Sequence, residues 1–303
     1  MATESFLFGC VMKNNLISNI QKISIFYNPD ITGVASLVQN IQNNYASKFD
    51  KLEPVPLIVD KENKLINENE KKLISSDLII CVGGDGTVLR LAQSIVNKSI
   101  PIFGIRMGRL GFLTESTSQE VNEKINSIIN GDFYIEERKL VKAEYDKHTY
   151  FALNDFVIGR KNLGKTSSIG VWINEMPIAE YRSDAVIAAS ATGSTGYTLS
   201  IGGPVLMPSS ESIIIMPLAP HLTPSNPIIL PSGDEVILQV LRDNDAIMII
   251  DGISELNIDK EKQIKISISK SSISFLRINN SYNFLNRVAD RLGWLRQDHT
   301  LDK

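Results

Sequence analysis

The sequence predicts an α/β N-terminal domain with a parallel sheet, an all-β C-terminal domain of many short strands, and a C-terminal helix returning to the first domain. Three observations carry this. Up to residue 139, apolar strand-like runs alternate with amphipathic helical stretches, the pattern of a parallel sheet covered by helices. After it, short β-branched runs punctuated by proline and glycine take over. From Tyr282 to Leu295 helical spacing resumes, with Leu285, Val288, Ala289 and Leu292 in phase. The predicted domains are residues 1–139 joined by 280–303, and residues 140–279.

Two domains also suit the length of 303 residues, because single cores stop growing at roughly 250–300 residues. With 43% apolar and 21% charged residues the chain resembles an ordinary folded protein. A net charge of −3 supplies no overall basic field, so nucleic acid is not an expected partner. No run approaches the roughly 18 apolar residues of a membrane span, and the N-terminus lacks a basic start followed by an apolar stretch. The expectation is a reduced, cytoplasmic setting without membrane contact. Cys10 and Cys81 lie far apart, and Cys81 sits in the apolar run Leu78–Val82, where it reads as a small core residue.

In chain order, Lys22 to Pro29 alternates like a strand and stops at its proline. A helix is predicted over residues 32–48, with Val34, Leu37, Val38, Ile41 and Tyr45 in phase and Thr32 as N-cap. The strand Leu78–Val82 runs into Gly83-Gly84-Asp85-Gly86-Thr87 and a helix carrying Val88, Leu89, Leu91, Ala92, Ile95 and Val96. A strand over Pro101–Ile105 precedes a second glycine-rich turn, Gly108 to Phe112, and a helix from Ser118 ends at Gly131. Later strands are predicted at 151–158, 169–174, 185–189, 213–216, 228–230, 235–241, 246–250, 263–268 and 272–277.

The strongest chemical signal is the loop Gly83 to Thr87. It lies at the carboxyl end of a buried strand, where open parallel sheets bind ligands. Gly83, Gly84 and Gly86 let the backbone approach a polyphosphate, and the helix that follows Thr87 presents free N–H groups that favour anions. Asp85 would repel phosphate unless it served an acceptor hydroxyl or a magnesium ion; the plainer alternative is a tight turn with Asp85 capping the helix. No Walker loop is present, and Leu89 stands where a dinucleotide fingerprint needs Gly or Ala. The second signal is the stretch Thr192 to Pro204, dense in hydroxyls and glycines, with Tyr197 offering a ring to a purine. Alone it would be an ordinary loop.

Together these motifs resemble the NAD kinase family. Its GGDGT loop, Asn-Glu or Asn-Asp pair, Arg-x-Asp contact, TGSTAYSLSxGGP stretch and Pro-His segment recur in order as Gly83–Thr87, Asn154-Asp155, Arg182 with Asp184, Thr192–Pro204 and Pro220-His221. The resemblance runs from about Lys22 to the C-terminus. It implies phosphoryl transfer from ATP, or another phosphoryl donor, to the 2′-hydroxyl of the adenosine ribose of NAD. Asp85 resembles the proton acceptor, with Gly86 beside it on the ribose. Asn154 and Asp155 match the pair that binds the dinucleotide, and Arg182 and Asp184 a further contact. Thr192 and the segment Thr195, Gly196, Tyr197, Thr198, Leu199 and Ser200 match the enclosure around adenosine. Phe112 resembles a residue on the adenine side and Asp251 one near the nicotinamide. Arg90 and Lys165 fall where relatives often carry a basic or histidine contact, or are solvated charges.

Gly196 stands where the family usually has Ala, Ala185 where it has Gly, Ser190-Ala191 where it has Thr-Pro, and Arg106-Met107 where it has Asn and an apolar residue. Arg106 could touch phosphate or pair with an acid, and His221 reads as structural. No metal cage is legible, which suits Mg2+ brought in on ATP. A lipid kinase of the diacylglycerol type shares the GGDGT loop but has no need of Thr195–Ser200. A non-enzymatic NAD sensor would gain nothing from Asp85. The weakly charged runs Ala185–Ala189 and Ile213–Met216 read as strand edges to be covered, and the resemblance adds a homodimer or homotetramer with Asp184 near a subunit boundary.

Overall fold

The computed structural model describes residues 20–60, 64–108, 111–161, 166–242, 245–260, 262–278 and 283–294. They fall into two compact units. The first holds the chain up to Leu91, Ser99–Glu136 and the residues from Ser274; the second holds Ala92–Lys98 and Glu137–Ile273.

The elements of the first part are β1 (Lys22–Tyr27), α1 (Val34–Tyr45), β2 (Lys51–Pro56), α2 (Asn67–Ile74), β3 (Leu78–Gly83), α3 (Asp85–Ser94), β4 (Ile102–Arg106), β5 (Ser116–Thr117) and α4 (Val121–Asn130). β1 pairs with β2 and β3, β3 with β4, and β4 with β5, all parallel. β3 is buried at every position, as its unbroken run of apolar and small residues requires of a strand covered on both faces. α1 lays Val34, Val38, Ile41 and Tyr45 on the sheet. Its predicted cap is corrected: the helix starts at Val34, and Gly33 at φ 83° turns the chain into it without any side-chain cap. α4 ends as predicted, at Gly131, whose left-handed φ of 82° lets Asp132 N–H close on the Ser127 carbonyl at 2.9 Å.

The strands of the second part are β6 (Tyr134–Tyr145), β7 (His148–Ala152), β8 (Asp155–Arg160), β9 (Ser167–Ile173), β10 (Met176–Ser183), β11 (Ala185–Ala189), β12 (Ser212–Leu218), β13 (Ile228–Pro231), β14 (Val236–Val240), β15 (Ala246–Ile250), β16 (Ser254–Ile258) and β17 (Gln263–Arg277). A short helix, α5 (Tyr197–Ser200), interrupts them, and α6 (Asn283–Leu292) is the predicted C-terminal helix. Within the second unit one sheet runs β13-β12-β11-β8-β15-β16 and another β10-β9-β14-β17. Val186, Ala188, Phe156, Ile158 and Met248 of the first meet Val171, Val236, Leu238 and Ile264 of the second in one core. The opposite face of β11, Ile187 and Ala189, is covered by Ile201 and Leu206, which explains a strand apolar at every position.

That cover also overturns an expectation. β11 and β12 are each paired on both sides, so Ala185–Ala189 and Ile213–Met216 are interior, and the edges of their sheet are β13 and β16. Residues 263–277 form one strand where two were predicted, and the run 151–158 is broken at Leu153-Asn154 between β7 and β8. Among the described residues, no helix is long and apolar enough to cross a membrane.

Candidate active site

In the first unit, β3 delivers the glycine loop at its carboxyl end, beside Arg106 at the end of β4. Thr87 and Val88 N–H both close on the Gly84 carbonyl, at 2.9 and 3.2 Å, and turn the chain directly into α3. A methyl group at Gly83 would overlap the Thr87 side chain, so that glycine is a packing requirement. Beside Gly84 and Gly86 there is open space, as an approaching phosphate needs.

Asp85, half-exposed, opens α3. It is no simple cap. Its Oδ2 accepts the Phe112 N–H at 2.9 Å and its Oδ1 the Leu113 N–H at 3.2 Å, which aims the carboxylate at the second glycine-rich turn. A side chain at Gly111 would overlap this carboxylate, so Gly111 is what admits it. Phe112 itself is buried, its ring 6.3 Å from Phe284 and 4.7 Å beneath the Arg291 guanidinium. Cys81 is buried in β3; burial first, and then the charge of Asp85, push its thiol pKa well up, consistent with an inert core residue. Arg106 lies near enough to Glu120 to help hold that carboxyl below its usual range, after the larger effect of the Thr117 N–H and hydroxyl bonds.

In the second unit Asn154 leads into β8, which begins at Asp155. Asp251, on the β15–β16 turn, accepts three successive N–H groups: Leu153 at 3.0 Å, Asn154 at 2.7 Å and Asp155 at 3.1 Å. Asp251 N–H returns to the Asp155 carbonyl at 2.9 Å, and its φ of 52° is one that Asp tolerates. Thus Asp251, expected near the nicotinamide, has its carboxylate engaged in shaping the Asn154-Asp155 bend. Burial pushes the Asp155 carboxyl up to about 7, with the charge of Asp251 adding to it. Burial also raises Asp251, to about 6, against the lowering pull of its three N–H donors.

The hydroxyl-rich stretch wraps the same bend. Ser190 Oγ donates to the Leu153 carbonyl at 2.5 Å and receives the Gly193 N–H at 3.1 Å. Ser194, Thr195 and Thr198 donate to the carbonyls of Ala191, Thr192 and Gly193 at 2.6, 3.1 and 2.7 Å. Thr192 Oγ1 lies 3.4 Å from the buried Arg138. A side chain at Gly193 would overlap the Asn154 backbone, and one at Gly196 would come within 3.2 Å of the Gly193 carbonyl and 3.3 Å of the Asn154 amide. Tyr197 and Ser200 are exposed, Leu199 partly so. Arg182 and Asp184 are also exposed; the Arg182 carbonyl accepts the His221 N–H at 2.6 Å, a backbone role for that segment.

Ser190 and Ser194 carry structural roles that the motif reading did not assign to them. Arg90 is half-buried in α3. Lys165 lies outside the described residues. Among the described residues no group of three His, Cys, Asp or Glu side chains could hold a metal ion.

Residues 25–133 match the family model of the ATP-NAD kinase N-terminal domain, and residues 153–278 that of the ATP-NAD kinase C-terminal domain. An NAD kinase of Caldicellulosiruptor saccharolyticus is 32% identical over 229 residues, 75% of this chain and 86% of the relative. An Archaeoglobus fulgidus NAD kinase, solved in complex with ATP, superposes with a TM-score of 0.71 at 25% identity, covering 88% of this chain and 96% of that one. The yeast NADH kinase, solved with NADH, shares the fold at a TM-score of 0.76 and 19% identity, over 94% and 91% of the two chains.

Proposed function

The chain belongs to the NAD kinase family, a phosphotransferase with an alcohol acceptor, and on that premise we propose that it phosphorylates the 2′-hydroxyl of the adenosine ribose of NAD, with ATP as donor, to give NADP. The observation that carries this is Asp85. It is a half-exposed carboxylate between open glycines at the carboxyl end of β3, aimed by two backbone N–H groups.

A ribose hydroxyl is a weak nucleophile at neutral pH, and phosphoryl transfer depends chiefly on positioning and charge neutralisation. The 2′-oxygen forms a bond to the γ-phosphorus as the bond to the β-phosphate oxygen breaks, and the hydroxyl proton passes to Asp85. The exposed backbone at Gly84 and Gly86 is suited to lie against the phosphates. A Mg2+ ion bound to ATP would neutralise charge on the phosphates. In the second unit, Asn154, Arg182, Asp184, Tyr197 and Ser200 are accessible and suited to hold the dinucleotide.

The test is NADP formation by purified protein from NAD and ATP. Diacylglycerol in place of NAD should yield no product; phosphorylation of the lipid and not of NAD would overturn the reading. The family matches and the Thr192–Pro204 stretch favour the dinucleotide. We also propose a cytoplasmic homodimer or homotetramer. Met176 and Ile178 are exposed on the edge strand β10, and Ile229 on the edge strand β13, apolar groups that assembly would cover. A stable monomer in sedimentation, fully active at nanomolar concentration, would exclude it.

A further inference from the structure

We propose that Arg277 and Arg287 are positioning residues for Asp85: they clamp the segment Leu113–Glu115, whose preceding peptide groups receive its carboxylate. The inference rests on the reading of Asp85 as proton acceptor.

The two peptides that aim Asp85 are those carrying the Phe112 and Leu113 N–H groups. The carbonyls that follow are both taken by guanidiniums. Arg277 Nη1 donates to the Leu113 carbonyl at 3.0 Å, and Arg287 Nη1 to the Thr114 carbonyl at 2.6 Å. Glu115, next in sequence, accepts from both arginines at 3.3 Å and from the Ile278 N–H at 3.3 Å. Glu136 holds Arg277 from the other side, at 3.2 Å from Nε and 3.1 Å from Nη2. Beneath the segment, Gly104 of β4 permits close approach, since a Cβ there would sit 2.9 Å from Thr114 Cα. Phe112 is gripped by Phe284 and Arg291 of α6. The turn is therefore fixed on the strand side and on the side of the C-terminal segment.

Stability alone is a poor reason for this arrangement. Arg277 and Glu115 have side chains only 2% and 1% exposed, and well-packed apolar residues commonly replace buried ion pairs without loss. Apolar packing, however, cannot orient two carbonyls. Two guanidiniums can, and a peptide that shifts by a fraction of an ångström redirects the carboxylate it holds. Misplacement of about 1 Å can cost on the order of 100-fold in rate.

The experiment uses Arg287→Gln, because Arg287 is the more exposed arginine at 18%, with Arg287→Lys and the double variant Asp85→Asn/Arg287→Gln beside it. In Arg287→Gln, kcat should fall about tenfold with both KM values within about twofold, and Arg287→Lys should recover part of the loss through a single bond to the Thr114 carbonyl. The double variant should be no slower than Asp85→Asn alone, since the arginine acts through that carboxylate. Amide hydrogen exchange, followed by NMR, should accelerate at Phe112 and Leu113 in Arg287→Gln. A purely structural arginine predicts a lower Tm with unchanged kcat per folded molecule and unchanged exchange at those amides; an unchanged kcat, unchanged exchange, or a loss in the double variant that adds to that of Asp85→Asn overturns the proposal. Should the wild type form no NADP, the kinase reading fails by itself, and exchange at Phe112 and Leu113 still decides whether the arginines hold the turn.

Discussion

The two polar loops differ in what their side chains are bonded to. In the first unit, backbone groups serve a side chain: the Phe112 and Leu113 N–H groups aim Asp85, and Gly84 and Gly86 on either side of it stay open. In the second unit, side chains serve the backbone. Ser190, Ser194, Thr195 and Thr198 spend their hydroxyls on neighbouring carbonyls, and Asp251 spends its carboxylate on three N–H groups. A stretch rich in hydroxyls thus builds a shape, while a loop nearly bare of side chains presents one reactive group. The first loop should govern turnover and the second affinity for the dinucleotide.

The sharpest way to break that division is Asp85→Asn. It keeps the acceptor oxygen for one N–H but removes the base, so kcat should fall by about 100-fold or more while NAD binding stays within a few-fold. Steady-state kinetics with an independent binding isotherm measures both. Near-normal turnover would remove Asp85 from the chemistry and dissolve the contrast.

A smaller effect is expected from Gly196→Leu. The first carbon of any side chain there already crowds the Gly193 carbonyl and the Asn154 amide. The NAD KM should rise about tenfold with the ATP KM nearly unchanged. Equal rises in both, or a matching fall in Tm, would mean that the stretch supports the fold and not the acceptor.

Much of this was legible where local pattern and burial agree. β3, buried on both faces, and α1, with its apolar stripe, follow directly from their residues. β2, β10 and β16 escaped because they are edge strands: Pro54 and Pro56 interrupt β2, an arrangement tolerated at an edge, and β10 and β16 show water one face each. α2, with only Asn69 and Leu73 buried, carries too little apolar signal to be seen. The break between β7 and β8 is imposed by Asp251, far along the chain, so no window around Asn154 could reveal it. The glycine loop and its aspartate were readable as a motif, whereas the partners of Asp85 were not. Phe112, Leu113, Arg277 and Arg287 converge through tertiary contacts that leave no local spacing.

The mildest test separates the loops by pH. Asp155 and Asp251 are raised to about 7 and about 6, chiefly by burial, so folding takes up protons that the unfolded chain releases near pH 4. Because the folded state binds more protons across that interval, stability falls as pH rises from about 4 to about 7 and levels off above it. The burial penalty is therefore absent in acid and complete at pH 8. From these two groups, Tm should drop by several degrees between pH 5 and pH 8, at about 2–4 °C for each kcal/mol lost in a domain of this size. Asp155→Asn removes the charge of one partner and, through it, the repulsion felt by the other. Its Tm profile should be flatter, with the largest gain over wild type at pH 8 and little at pH 5. Calorimetric scans across that range measure this, with Asp85→Asn as the control from the other loop. An unchanged slope in Asp155→Asn would mean that the pair is solvated well enough to ionise normally, and that the bend at Asn154 is held without cost.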